Sequence, residues 1–510
     1  MMKETPATEL CIRLRDPGMT PILRAGLGGL AASLNAIPKD KLAKYGLWEI
    51  EPHALILRWH QPGHASEFLK NLFAECFRID EAGLIDLPAT YTGTQDLAVR
   101  ACLQKALRQT ILQHGWFAKK NGKPRPLTIE IDGTHTIGIQ PYKWFKHQDA
   151  HVNIAKELDR PAGNQSALHL ASWANPGAVE RHSGLSGTEI EYAVPEALCA
   201  IFALIGTISL HVPHGGALLI CEPDNLIHFA KIRPRLSPRS LPDCHVSGGG
   251  DAVLSIEVAL RAARMQDESG AVSSITAWIF NQTAWSRPQK NRAQILPPIH
   301  HPEASLSAFQ ELASMLPARI VPCAAKEKNG LGEFFSPPNV LRRFVTENLD
   351  QGHAWHRGFS TCFHSHKKME IFHFFANQKG LRAMIERLAP PESILIRSIH
   401  TALRQRFGAI GDETRSSPAD FKKRCSSERE RWRLAFAGAK TLDQVRFALV
   451  NLWSRAGTVK ELQSSWQDVI PFLQEDRWLE ARDLALIALA SYEGRGAIAQ
   501  EPTPGSATDD

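Results

Sequence analysis

With 510 residues, 43% of them hydrophobic and 22% charged, the chain exceeds what one hydrophobic core usually serves and reads as a soluble globular protein of two domains, or one large domain with an appendage. A formal net charge of +6 permits polyanion binding without demanding it, so local clustering has to decide. The longest apolar run, from Ala197 to Leu210, falls short of the roughly 18 residues that a membrane span needs; it argues against membrane insertion and predicts a buried helix.

From the N-terminus, residues 10–15 read as a strand, Asp16-Pro17-Gly18 as a turn, and Thr20-Pro21 as the cap and first position of a helix. Residues 47–51 and 54–59 alternate like two strands joined at Pro52-His53, residues 67–77 carry an amphipathic helical period, and residues 83–87 read as a further strand. That order is β-α-β-β-α-β, a ferredoxin-like pattern. A helix over 95–114, a basic loop and a hairpin over 127–139 turning at Asp132-Gly133 come next. Residues 140–192 are loop-rich. Between 195 and 350, helical periods at 195–206, 252–265, 306–315 and 338–349 mix with strands at 217–221 and 274–280.

From about Lys368 the pattern is helical only, broken at Pro390-Pro391, between Gly408 and Gly411, at Gly438 and at Gly457. The fold class is therefore α+β: an irregular α/β body over 1–367, an all-helical bundle over 368–495, and a tail over 496–510 too rich in Gly, Ser, Thr and Pro to order itself.

Motifs with chemistry are few. Gly26-Leu27-Gly28-Gly29-Leu30-Ala31 fits the loose dinucleotide pattern G-x-G-x-x-A, with Glu49 and Glu51 about 20 residues on. Thr20-Pro21 starts this helix a full turn too early for a phosphate turn, so close packing of the helix on a sheet explains the glycines better. Gly248-Gly249-Gly250-Asp251 reads as a loop capped by Asp251 before it reads as a phosphate site. Cys362, His364, His366 and His373 do not match a zinc framework, His300-His301 reads as a solvated turn, and Gly184-Leu185-Ser186-Gly187 lacks the spacing of a serine elbow. Nine cysteines without a CxxC pair, and no basic-then-apolar leader before them, fit buried small hydrophobes in a reduced cytoplasm. No catalytic residue, metal or cofactor is expected, and the chain reads as a binding protein rather than an enzyme.

Basic clusters interleaved with aromatics and amides are more informative. Trp116-Phe117-Ala118-Lys119-Lys120-Asn121-Gly122-Lys123-Pro124-Arg125 reads as a flexible basic loop, and Tyr142-Lys143-Trp144-Phe145-Lys146 follows the next hairpin. Segments 231–239, 285–292, 326–329 and 422–433 follow the same recipe. Lys and Arg neutralise phosphates, aromatic rings stack on bases, and amides or Arg read base edges. The candidate nucleic-acid contacts are Lys119, Lys120, Asn121, Lys123 and Arg125, then Gln289, Lys290, Asn291 and Arg292, each set joining charge to an amide. Lys422, Lys423, Arg424, Arg431 and Arg433 would track a strand backbone from the helical bundle.

The opening Ile12-Arg13-Leu14-Arg15-Asp16-Pro17-Gly18-Met19-Thr20-Pro21-Ile22-Leu23-Arg24-Ala25-Gly26-Leu27-Gly28-Gly29-Leu30 resembles the start of large subunits of type I CRISPR interference complexes (Cascade), of the branch near types I-A and I-B. Looser support comes from Trp173-Ala174-Asn175-Pro176-Gly177-Ala178, Arg181-His182, Arg342-Arg343 and Trp355-His356-Arg357-Gly358-Phe359. The resemblance implies a cytoplasmic, non-catalytic subunit at the foot of a crRNA-guided complex, which reads the PAM of double-stranded DNA and promotes R-loop formation. Its implied partners are crRNA, target DNA, the backbone and handle-binding subunits, and a recruited helicase-nuclease; in a transposon-associated complex, transposition proteins take the last place. Met369 or Met384 would start the separately made small subunit known in some relatives. The reading from another class is a nucleotide-dependent enzyme built on the segment between Gly26 and Ala31, or a zinc enzyme around Cys362 and His373.

Overall fold

Pro21 opens the first helix because its missing N–H is one that a helix start leaves unsatisfied in any case, and Thr20 before it is extended, at φ −69° and ψ 163°. The computed structural model describes residues 8–113, 117–130, 134–161, 164–169, 191–213, 215–264, 270–281, 294–296, 301–318, 321–323, 333–335, 339–363, 377–415 and 417–493. Contacts group the chain into two units, Met1–Leu306 with Ala318–Pro338, and Ser307–Pro317 with Asn339–Asp510. The expected boundary at 367/368, the tail and Met369 lie outside the described residues.

In chain order the first unit begins with β1 (Glu9–Arg13), α1 (Pro21–Ala36), α2 (Lys39–Ala43), β2 (Gly46–Ile50), β3 (Ala54–Trp59), α3 (Ala65–Cys76), β4 (Arg78–Ile79), β5 (Ile85–Asp86) and α4 (Leu97–Gln109). Then come β6 (Ala118–Lys120), β7 (Arg125–Glu130), β8 (Thr134–Ile139), β9 (Tyr142–Phe145), α5 (His151–Leu158), β10 (Leu168–His169), β11 (Glu191–Tyr192) and α6 (Val194–Gly206). The unit is completed by β12 (Ile208–Val212), β13 (Gly215–Pro223), α7 (Leu226–Ile232), α8 (Gly249–Arg264), β14 (Val272–Asn281), β15 (Gln294–Leu296) and the short pair β16 (Val321–Cys323) and β17 (Glu333–Phe335). The α+β class holds, and within residues 140–192 the loop-rich expectation missed β9 and α5.

The ferredoxin-like order is present along the chain, but its last strand does not join the sheet. That sheet is antiparallel in the order β1-β3-β2, while β5 pairs only with β4. Local hydrogen bonds turn the chain back: Leu84 N–H donates to Asp80 Oδ1 at 2.7 Å, Gly83 sits at φ +78°, and the Ile85 N–H is taken by the Gln104 side chain at 2.9 Å.

The glycines of α1 lie inside the helix: Gly28 meets Pro223 of β13 and Phe229 of α7, as packing on a sheet would have it, while Gly26 and Gly29 face α6. A Cβ added at Gly26 would stand 1.9 Å from the Cys199 carbonyl oxygen, one at Gly29 2.4 Å from that of Phe202, and one at Gly206 1.7 Å from that of Ala25. Small residues let the two backbones touch, and this explains the pattern that resembled a dinucleotide loop. The apolar run that begins at Ala197 is not one helix. It ends at Gly206, where Arg233 binds the carbonyls of Ile205 and Thr207 at 2.6 and 2.7 Å, and β-branched Thr207 and Ile208 lead into β12.

The second sheet runs β12-β13-β14-β15, all antiparallel. Every residue of β13 is buried, as a strand covered on both faces requires. Leu218 and Ile220 share a core with α1 and α6, whereas Ala217, Leu219 and Cys221 face the core under α8. Asp251 is not the cap of a loop: α8 already starts at Gly249, and Asp251 accepts from Ser247 N–H at 2.7 Å and Ser247 Oγ–H at 2.9 Å. His301 is not solvated either, since its buried ring meets Glu257 Oε2 at 2.7 Å.

In the second unit the described residues are helical: α9 (Glu303–Met315, which begins in the first unit), α10 (Val340–Asp350), α11 (Gln378–Ile385), α12 (Pro390–Glu413), α13 (Pro418–Ala437), α14 (Leu442–Ala456), α15 (Lys460–Val469) and α16 (Trp478–Ser491). Pro390 starts α12, and Gly438 and Gly457 end α13 and α14, as their residue types imply. Gly408 and Gly411 do not break α12, because its buried face of Ile394, Leu395, Ile399, Leu403, Phe407 and Ile410 holds it across them. Buried Asp483 of α16 accepts from the N–H groups of Gly358 and Ser360 at 2.6 and 3.0 Å, anchoring the segment after α10. Met384 is a buried residue of α11.

This packing can be tested at two positions. Gly206→Ala should lower the thermal midpoint by the equivalent of several kcal/mol, because backbone stands where the methyl would go, whereas Gly408→Ala, with nothing within 4 Å, should raise stability by about 0.5–1 kcal/mol. Equal midpoints for the two variants would contradict the close helix contact. Burial, with Lys146 adding repulsion, pushes His147 from 6.5 down to about 3. The unfolded chain then binds a proton that the folded chain refuses, so this residue's share of stability is whole above pH 6.5 and is lost as pH falls towards 3. His147→Phe should shrink the difference in urea stability between pH 7 and pH 5 by about 2 kcal/mol; an unchanged difference would contradict it.

Candidate nucleic-acid interface

Within the segment expected as a flexible basic loop, Ala118–Lys120 form the strand β6 and Arg125 begins β7, while residues 121–124 between them are a turn. β6 pairs antiparallel with β9, setting Ala118 opposite Phe145, Lys119 opposite Trp144 and Lys120 opposite Tyr142. Phe117, Ala118, Tyr142 and Phe145 are buried, while Lys119, Lys120 and Lys143 are exposed; the register shift between Lys119 and Lys120 interrupts the strand's alternation and leaves both of these lysines in solvent. The ammonium of Lys119 lies 4.8 Å from the centroid of the half-buried Trp144 ring. Asn121-Gly122-Lys123-Pro124 form the turn that follows, with Gly122 at φ +76°. Asn121 N–H donates to the Pro141 carbonyl at 2.8 Å, and Gln140 Nε2 donates to the Gly122 carbonyl at 3.1 Å. Arg125 then opens the β7–β8 hairpin opposite Ile139.

Lys119, Lys120, Asn121, Lys123 and Arg125 are thus brought together, all exposed, and Lys143 joins them. Among the described residues none of these five cations has a carboxylate partner, and segments 117–125 and 142–146 contain no acid. Such a surface holds polyanions without first breaking internal ion pairs. Lys146 is partly buried 5.6 Å from the Phe117 ring, and burial lowers its pKa. The ribbon is rooted in aromatic rings: Phe145, Phe117 and His147 cluster with Phe77, which follows α3 and whose centroid is 5.0 Å from that of Phe202 in α6.

The remaining clusters divide. Gln289, Lys290, Asn291 and Arg292, with 326–329, lie outside the described residues. On α13, Lys422, Lys423 and Arg431 are exposed, with Arg431 5.3 Å from the Trp432 ring, but Arg424 pairs with Glu413 at 2.9 Å and Arg433 with Glu430. The 231–239 segment loses its central cation. Arg233 is buried, binds the Ile205 and Thr207 carbonyls and Ser237 Oγ, and burial pushes its pKa down to about 10. It serves the C-terminal end of α6, where carbonyls lack helical partners. Of the cysteine–histidine segment only Cys362 is described; His364, His366 and His373, like residues 173–187, lie outside.

One constellation escapes a reading of the sequence altogether. Cys102 of α4, His211 of β12 and His245, just after the turn at Pro242–Cys244, meet in the interior, and Cys244 of that turn packs against Cys102. Cys102 Sγ is 3.9 Å from His245 Nε2, and the two imidazoles stack with centroids 5.1 Å apart. The neighbouring Cys244 thiol, helped by His211 and His245, holds Cys102 well below the ordinary thiol value, and Cys244 is raised in turn by Cys102. For His245 burial is the largest effect and works downward, but the bond to Cys102, the charge of that thiol and the Leu241 carbonyl together outweigh it and raise the ring's pKa. Only the adjacent Cys244-His245 could have signalled this in sequence, since the other members lie over a hundred and over thirty residues away.

Comparisons with known proteins bear on both units. A model of the DevT N-terminal domain matches residues 11–201, and a model of the DevT C-terminal domain matches residues 385–509. The CRISPR-associated protein Cas8a1/Csx13 of Myxococcus xanthus (strain DK1622) is 40% identical over 531 residues, an alignment covering 98% of this chain and 91% of that protein. Among the described residues no helix is long and apolar enough to cross a membrane.

Arg233 separates a structural cation from a binding one. Arg233→Met strands two buried carbonyls at about 1–3 kcal/mol each, so the thermal midpoint should fall while the salt dependence of nucleic-acid binding stays that of the parent. A variant as stable as the parent, with weaker binding, would contradict the assignment.

Proposed function

The chain belongs to the Cas8a1/Csx13 family of CRISPR-associated large subunits, and on that premise we propose that it is the non-catalytic subunit of a crRNA-guided type I surveillance complex that reads the PAM of target double-stranded DNA. One observation carries the reading: five exposed cations, Lys119, Lys120, Lys123, Arg125 and Lys143, stand on and beside a paired ribbon, none of them ion-paired with a carboxylate among the described residues. Asn121 at the turn and Trp144 beneath Lys119 supply an amide and a ring at the same place.

The roles follow from chemistry. A two-stranded ribbon fits the major groove, where lysines on its flanks neutralise phosphates and a side-chain amide reads base edges. In crRNA-guided complexes base pairing reads the target, and protein needs to read only the short adjacent motif before the duplex opens. Residues 1–367 form the PAM and crRNA-handle region, with Gln289, Lys290, Asn291 and Arg292 as a second contact set. Residues 368–495 form the small-subunit-like bundle, along which Lys422, Lys423 and Arg431 support a separated strand. The crRNA, the backbone and handle-binding subunits and a recruited helicase-nuclease complete the assembly, and cleavage belongs to the last of these.

Expression with the neighbouring genes, followed by purification on this chain, should recover backbone subunits and a uniform set of spacer-plus-handle RNAs. The purified complex is then titrated with a PAM-bearing duplex. Lys119→Ala, Lys120→Ala and Lys123→Ala combined should flatten the slope of log affinity against log salt by about three, one for each phosphate no longer neutralised. Asn121→Ala should instead relax discrimination at one base pair by about 1–3 kcal/mol. A chain that purifies without RNA beside its expressed neighbours, or a triple variant with the parental salt slope, would overturn the proposal.

A further inference from the structure

We propose that Cys102, Cys244, His211 and His245 are a structural binding site for one divalent cation of the zinc class. Two sulfurs and two imidazoles are the donor set that such a borderline-soft ion selects, and two thiolates with two neutral rings balance its charge inside a dry interior. All four residues are buried. The donor atoms of Cys102, His211 and His245 lie within 4.8 Å of one another. Cys244 packs against Cys102, its thiol donating to the Ser240 carbonyl at 3.5 Å, and a turn of its side chain would bring it in as the fourth donor. With metal–sulfur and metal–nitrogen bonds of about 2.3 and 2.05 Å, a tetrahedral site sets sulfur and nitrogen about 3.6 Å apart; Cys102 Sγ and His245 Nε2 are at 3.9 Å.

The surroundings orient the rings as a metal requires. His245 Nδ1 faces the Leu241 carbonyl at 3.0 Å, which fixes the proton on Nδ1 and leaves Nε2 as a lone-pair donor. His211 faces two oxygens, Gln109 Oε1 at 2.6 Å from Nδ1 and the Cys102 carbonyl at 2.9 Å from Nε2. With the Gln109 amide oxygen facing it, a neutral ring with one N–H serves only one of the two. Donating Nδ1–H to Gln109 and offering Nε2 to a cation resolves the conflict with a small rotation of the ring. The ion would tie α4 to the edge strand β12 and to the turn at Pro242–Cys244. Because Ala98 and Ala101 of α4 pack under Ile129 and Ile137 of the β7–β8 hairpin, the tie would also brace the hairpin that continues from the basic ribbon.

The test uses the full chain, purified without a histidine tag and analysed for metal by mass spectrometry. The parent should carry about one equivalent of zinc. Exchange with cobalt should produce the visible bands of a tetrahedral site and a near-ultraviolet sulfur-to-cobalt charge-transfer band. Cys102→Ser with Cys244→Ser should abolish that band and the bound metal, and His245→Asn should weaken binding at least tenfold. Cys362→Ser should leave both unchanged. The cobalt spectrum of the parent reads the site even where a variant fails to fold. Parent protein without metal or the charge-transfer band, retention of metal by the double variant, loss of it through Cys362→Ser alone, or a Cys102–Cys244 disulfide in protein kept reduced would each overturn the proposal.

Discussion

The first unit depends on the direct contact between α1 and α6. Carbonyl oxygens of Cys199, Phe202 and Ala25 stand where side chains would be at Gly26, Gly29 and Gly206. Small residues at those three places let the backbones meet, and everything laid over the pair inherits their position. Leu218 and Ile220 of the second sheet fill the core beside them, and residues of β1 and β3 close it from the other side. Arg233 fixes where α6 must stop, by holding its last free carbonyls. Without that stop β12 could not begin two residues later.

From α6 the order is handed outward through aromatic rings. Phe202 touches Phe73 of α3 and Phe77 just after it, and Phe77 touches Phe145 and His147 at the root of the basic ribbon. The lysines are therefore displayed from a packed base rather than from a mobile loop. Preorganisation matters for a reader of grooves, since charged side chains on a fixed backbone lose less freedom on meeting phosphate than those on a loop that must also be ordered.

Much of this was legible in the sequence where the signal was local. Pro21, the alternation over Ala54–Trp59, the β7–β8 hairpin and the stops at Gly438 and Gly457 each state a local conformational preference, and the structure honours them. The opening motif also pointed to the family the chain belongs to. What was not legible depends on partners distant in sequence. β6 is three residues long with no burial alternation to read, since its register shifts between Lys119 and Lys120, and it is a strand only because β9 lies beside it. Gly408 and Gly411 read as breaks, but the apolar face of α12 outweighs their propensity. Arg233 read as a phosphate binder because nothing nearby reveals that it is buried, and the Cys102 constellation is assembled from three separate elements.

The claim on which the functional account rests is that the ribbon from Lys119 to Arg125, with Lys143 and Trp144, lies against target DNA beside the PAM. Photocrosslinking tests it most directly: the assembled complex is bound to a duplex carrying photoreactive bases at and next to the PAM, irradiated, digested, and its crosslinked peptides sequenced. The account predicts crosslinks concentrated in peptides covering 117–125 and 142–146. Crosslinks confined to other segments, with these peptides recovered unmodified from a complex that still binds its target, would contradict it.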